Sequence, residues 1–145
     1  MIAIGSDHGG YELKEHVKKH LEERGIEVKD FGTYSEESVD YPDCAKPVCE
    51  AVLNAEVERG ILFCGTGIGI SMAANKFDGI RAALCGDVFS AKMAKEHNNA
   101  NIICLGGRVT GRELAFMIVD TFLDAEFQGG RHQNRIDKIH AIEKA

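Results

Sequence analysis

The apolar run Ile61-Leu62-Phe63 stops at Cys64 and passes directly into glycines at positions 65, 67 and 69. A thiol acts as base or nucleophile only as a thiolate, which a helix start and donated hydrogen bonds stabilise. A glycine-rich strand-to-helix turn supplies both, because backbone N–H groups converge where side chains are missing. Three chemistries are open to Cys64: a general base beside an oxyanion site, a nucleophile for acyl transfer with a histidine as its base, or a small apolar filler. The first suits proton abstraction next to a carbonyl, where negative charge moves onto oxygen. The glycines read GxGxG, whereas the dinucleotide fingerprint needs glycine at position 70, occupied by Ile70, and follows a first strand rather than a third.

Other polar clusters bear on the choice. Asp7 and His8 lie in SDHGG, where a carboxylate can hold sugar hydroxyls and an imidazole can donate to phosphate; an Asx turn with a solvated histidine is the plainer reading. His97-Asn98-Asn99 closes a helix, where a histidine can be purely structural. Arg131 and Arg135 are one helical turn apart, so they form either a solvated basic face or two forks converging on one phosphate. Arg108, in LGGR, is a third candidate for that role. No HxE or HExxH arrangement occurs, and no metal is expected.

The elements that must position these residues read as alternating strands and helices. Strands are expected at 1–5, 26–31, 60–64, 79–84 and 101–105. Leu13, Val17 and Leu21 form a helical stripe over 11–24, with Gly25 as its C′ residue. A loop over 32–43 leads into a helix to about Leu53, with Pro42 in its first turn. A helix begins near Gly69, Asp87 caps another reaching about His97, and two more cover 111–123 and the segment after Gly129-Gly130. Parallel strands with crossover helices on both faces follow, a doubly wound α/β domain. In an order beginning 2-1-3, the crevice at the carboxyl ends of strands one and three joins SDHGG to CGTGIG.

The 145 residues fit one domain over 1–145, with 44% apolar and 28% charged residues and no linker or repeat. No apolar run approaches the roughly 20 residues of a membrane helix, and the N-terminus reads as a strand rather than a leader. A net charge of −6 argues against nucleic-acid binding but not against a small anion held at one site. Five cysteines with no CxxC pair suit reduced thiols in a cytoplasm.

SDHGG after the first strand, CGTGIGIS after the third, HNNANIICLGGR around the fifth and RHQNR near the end resemble the type B ribose-5-phosphate isomerases, the ribose/galactose isomerase family. The motifs occur in the family's order along essentially the whole chain. The resemblance implies a Rossmann-like three-layer domain with a five-stranded parallel sheet. It also implies a homodimer with its active site at the interface, with a tetramer as the alternative, and no cofactor. The implied reaction interconverts ribose 5-phosphate and ribulose 5-phosphate through a cis-enediolate, in the non-oxidative pentose phosphate pathway.

By the same resemblance Cys64 moves the proton between C1 and C2, and the loop of Gly65, Gly67, Gly69 and Ser71 binds the enediolate. Thr66 and His97 open the furanose ring, with His97 reaching in from the partner subunit. Asp7 and Asn98 contact sugar hydroxyls, Tyr41 flanks the site, and His8, Arg108, Arg131 and Arg135 hold the phosphate. A branch of the family uses a later glutamate as base; with Gly69 and Ile70 there, Cys64 is the base that remains. Galactose 6-phosphate relatives divide these residues between two subunits, so one chain carrying them all points to a homodimer. The narrow stripe Ile136, Ile139, Ile142 would gain a burial site across that partner. Allose 6-phosphate or galactose 6-phosphate is the alternative substrate, and a nucleotide-binding regulatory module the alternative class.

Overall fold

The computed structural model describes all residues, 1–145. Five strands form one parallel sheet: β1 Ile2–Ser6, β2 Val28–Asp30, β3 Arg59–Cys64, β4 Ala82–Leu84 and β5 Ile102–Gly106, in the order β2-β1-β3-β5-β4. The helices are α1 Tyr11–Glu23, α2 Tyr41–Leu53, α3 Ile68–Ala74, α4 Val88–Glu96, α5 Arg112–Asp124 and α6 Arg131–Glu143. The expected β2 and β4 are trimmed to three residues each, because both are edge strands paired on one side only.

The three central strands are buried on both faces, which is why IAIGS, RGILFC and IICLG read as near-continuous apolar runs. Their alternation divides the core in two. Ile2, Ile4, Ile61, Phe63, Ile103 and Leu105 face α1, α4 and α5, while Ala3, Leu62, Cys64, Ile102 and Cys104 face α2 and α3. Each large aliphatic or aromatic side chain so buried stabilises the fold by about 1.5–3 kcal/mol. The stripe on α1 is buried as expected, and the helix ends where Gly25 N–H donates to Glu22 O and Ile26 N–H to Leu21 O. Asp87 caps α4 by accepting from the Ser90 amide at 2.7 Å.

Helix α6 lies along the amino-terminal ends of β4 and β5. Gln128 N–H donates to Glu96 O, Arg81 Nη1 donates to His140 Nε2, and the Gly79 amide donates to the Glu143 carboxylate. Of its isoleucine stripe, Ile136 is buried against its own chain, while Ile139 is half exposed and Ile142 is 75% exposed. Ile139 and Ile142 line an apolar groove of about 600 Å³ outside β4, with Leu84, Met93 and Asn98 among its other walls. No helix is long and apolar enough to cross a membrane.

Candidate active site

The strand order reverses between β1 and β3, and the site is built there from three loops leaving the carboxyl ends of β1, β3 and β5. Cys64 ends β3 in register with Gly106 of β5, which brings LGGR beside CGTGIG. Backbone bonds then lock the loops together. Gly107 N–H donates to Cys64 O at 2.8 Å, Arg108 N–H to Gly65 O at 2.9 Å, and Asp7 N–H to Phe63 O at 3.2 Å.

Cys64 is buried, and its Sγ accepts the Gly67 amide at 3.1 Å. The other four thiols accept no such bond, and burial pushes Cys49 up to about 12, Cys85 to about 11, and Cys44 and Cys104 up as well. All five are free. Cys64 is thus singled out by a donated hydrogen bond rather than by exposure.

The glycines of the loop do different jobs. Gly67 has φ +81°, a left-handed conformation, and a Cβ there would come within 2.6 Å of Leu84 Cδ1 and 2.9 Å of the Leu105 carbonyl carbon. This turn is what aims its amide at the thiol. Gly69 is bare for another reason: a Cβ would sit 2.6 Å from the Tyr41 ring, so the phenol lies flat against the loop. The Arg108 guanidinium lies over Gly65, with Nη1 3.3 Å from where a Cβ would be. The three glycines thus differ in what their bareness admits: Gly67 turns the chain, Gly69 seats Tyr41 and Gly65 lies under Arg108. Helix α3 starts at Ile68, one residue earlier than expected.

The polar residues around Cys64 are oriented by the backbone. Asp7 is buried and its Oδ1 accepts the Gly10 amide at 3.1 Å, so the carboxylate is held in the first loop. His8 Nδ1 accepts the Val39 amide at 3.2 Å, which puts the proton of the neutral ring on Nε2, free to donate. His8 and Arg108 line a polar cavity of about 280 Å³ with Gly9, Glu12, Glu36 and Gly107. Thr66 is exposed and its Oγ1 accepts the Ile68 amide at 3.2 Å. The Ser71 hydroxyl donates to Ile68 O at 2.7 Å, so its proton belongs to α3.

One chain does not bring His97, Asn98, Arg131 and Arg135 to this place. Cys64 pairs with the end of β5, whereas His97 and Asn98 precede its start, and five strand residues span roughly 16 Å. At that opposite edge His97 closes α4, stacked on His132 with ring centroids 4.1 Å apart, and Arg131 and Arg135 are exposed on α6. Sequence reasoning did not anticipate the His8–Val39 bond or the His97–His132 stack. Neither leaves a local pattern, because each joins residues 31 and 35 positions apart.

Fold and site together define a Rossmann-like, doubly wound α/β protein with a thiol set among backbone amides at the switch point of its sheet. Residues 2–139 match the Ribose/Galactose Isomerase family, and the chain belongs to that family. It is 54% identical over 143 residues to ribose-5-phosphate isomerase B of Escherichia coli, covering 99% of this chain and 96% of that protein. Among solved structures, ribose-5-phosphate isomerase B of Clostridium thermocellum superposes with a TM-score of 0.97 at 60% identity, covering 99% and 97% of the two chains. The Mycoplasma genitalium ribose-5-phosphate isomerase B, solved with bound ribulose 5-phosphate, gives 0.93 at 46% identity, covering 99% and 95%.

Proposed function

We propose that this chain interconverts D-ribose 5-phosphate and D-ribulose 5-phosphate, working in the cytoplasm as a homodimer without a cofactor. The observation that carries this reading is the Gly67 amide 3.1 Å from Cys64 Sγ, inside a loop flanked by Asp7, His8 and Arg108. The names of the Escherichia coli and Clostridium thermocellum relatives, and the ribulose 5-phosphate held by the Mycoplasma genitalium protein, support the substrate.

The reaction needs two proton movements. In ring opening, the hydroxyl proton on O1 is removed and ring oxygen O4 gains a proton as the C1–O4 bond breaks and C1=O1 forms. Thr66 and His97 of the partner subunit carry this step. Cys64, as thiolate, then takes the proton from C2 and charge moves onto O1 of the enediolate. Amides of the loop from Gly65 to Gly69 stabilise that charge. Return of the proton to C1, with the O2 proton leaving and O1 protonated, completes a redox-neutral isomerisation. Asp7, Tyr41, Ser71 and Asn98 of the partner subunit hold the sugar. His8 and Arg108, with Arg131 and Arg135 of the partner subunit, hold the phosphate.

The partner contribution is supported by the distance between the two clusters and by the groove outside β4, whose apolar walls Leu84, Ile139 and Ile142 suit a second copy. Ketose formation from ribose 5-phosphate, allose 6-phosphate and galactose 6-phosphate tests the reading, with kcat/KM expected highest for ribose 5-phosphate. A higher value for a hexose phosphate would move the function to the alternative substrate. Tight binding of ATP or NAD with no isomerisation would replace it altogether.

A further inference from the structure

The turn that carries His97 is fixed in its backbone by several independent contacts. His97 N–H donates to Met93 O at 2.9 Å, and Asn99 takes a left-handed conformation with φ 46°. The Asn99 carbonyl receives Arg81 Nε at 3.0 Å and Nη2 at 2.8 Å, and Asn99 Oδ1 receives Lys95 Nζ at 2.8 Å. The His97 ring is held differently. Neither of its nitrogens hydrogen-bonds within the chain, which leaves both for substrate. One face of the ring rests on His132, 4.1 Å away between centroids and 12° from parallel.

His132 is itself well anchored. It is buried, it sits in the first turn of α6, and Ile136 one turn on is buried too. The segment entering that helix is tied to the end of α4 by Gln128 Nε2 on Glu96 Oε1 at 2.9 Å. A stack of this kind removes the ring's freedom about its side-chain torsions without occupying a nitrogen. Burial, with His97, Arg131 and Arg135 nearby, holds His132 below the usual imidazole range. A neutral ring is the form that can lie face to face with a histidine carrying a proton. The same helix also bears Arg131 and Arg135, so it can couple the grip on a phosphate to the orientation of the ring.

We propose that His132 is a positioning residue for ring opening: it fixes the His97 imidazole by stacking and takes no part in the proton transfer between carbons. The inference rests on the isomerase reading above. It is testable because the two substrates differ in one respect. Ribose 5-phosphate closes to a furanose through O4, whereas ribulose 5-phosphate has no free hydroxyl placed to close on C2 and stays acyclic. Exchange of the C1 proton of ribulose 5-phosphate with solvent deuterium therefore reports carbon–proton chemistry without ring opening. Net conversion of ribose 5-phosphate requires both.

His132→Ala is expected to slow net conversion about 10- to 100-fold, since a small misplacement of a catalytic group has effects of that size. Exchange at C1 should stay within about twofold of the wild type, which also shows that the variant is folded. His132→Phe, which keeps a flat ring against His97, should recover most of the loss. Equal losses of both rates, no loss of either, or a phenylalanine variant no better than alanine would each overturn the proposal. Wild-type protein inactive in both assays would instead remove the isomerase reading and this inference with it.

Discussion

The two edges of the sheet hold their chemistry in opposite ways. At the carboxyl edge, around Cys64, three loops are joined by backbone bonds, and the thiol's donor is the Gly67 amide. At the amino edge, around His97, the turn is held by side chains: Arg81 on the Asn99 carbonyl, Lys95 on the Asn99 amide oxygen and His132 on the imidazole. The first arrangement is intolerant of added atoms, while the second is sensitive to charge. The difference suits the tasks proposed for them. Charge developing on an oxyanion is best met by fixed dipoles that need no reorganisation, whereas a residue reaching into a partner's site must stand clear of its own backbone.

Disabling each edge in a separate chain should have the largest effect. Cys64→Ala should lower isomerisation by about 10²–10⁴-fold or more, the range for losing a general base, with Tm little changed. His97→Ala should also be strongly impaired on ribose 5-phosphate. Mixed, unfolded and refolded together, the two inactive proteins should recover about a quarter of wild-type activity, because half of random dimers are hybrids and each hybrid has one intact site. No recovery in hybrids shown to form would mean that both residues serve a site within one chain.

A smaller effect is expected from one methyl group at the carboxyl edge. Gly67→Ala forces a side chain into a left-handed conformation and against Leu84 and Leu105, which should cost about 1–3 kcal/mol. It should also reduce activity by moving the amide off Cys64. Gly86→Ala is the control, since a Cβ there meets nothing and stability should change by less than about 0.5 kcal/mol. Denaturant unfolding of both variants measures the contrast, and equal losses would show that the loop yields to an added atom.

The legibility of these edges from sequence was unequal, for physical reasons. The strands were readable because a parallel sheet buries both faces and writes unbroken apolar runs such as Ile102 to Leu105. The switch point followed from topology, and with it the meeting of Asp7 and His8 with Cys64. The insertion of β5 between β3 and β4, which brings Arg108 over Gly65, was not readable, because no local signal says which later strand pairs with β3. That the bareness of Gly69 also seats Tyr41, from 28 residues away, was not readable either. Lys14, beside the α1 stripe, is fully buried and bound to Asp30 at 2.7 Å, which no local pattern shows. A buried pair of that kind depends on where two distant elements dock.

At the amino edge a modest dependence of stability on pH is expected. Burial, followed by the nearby Arg59 and Arg81 charges, lowers Lys95 from 10.5 to about 8, with Glu126 and Glu58 opposing. Between those two values the unfolded chain binds more protons at this residue than the folded one. Its contribution to stability therefore rises with pH from about 8 towards 10.5, and below 8 the charged ammonium opposes folding. Lys95→Met removes that dependence together with the bond to Asn99. The wild-type Tm should thus gain on the variant's as pH rises across this window, by about 1–3 °C once solvent screening of a partly exposed group is allowed for. Parallel Tm curves would show that the ammonium is as well solvated folded as unfolded, and that charge is not what the amino edge is sensitive to.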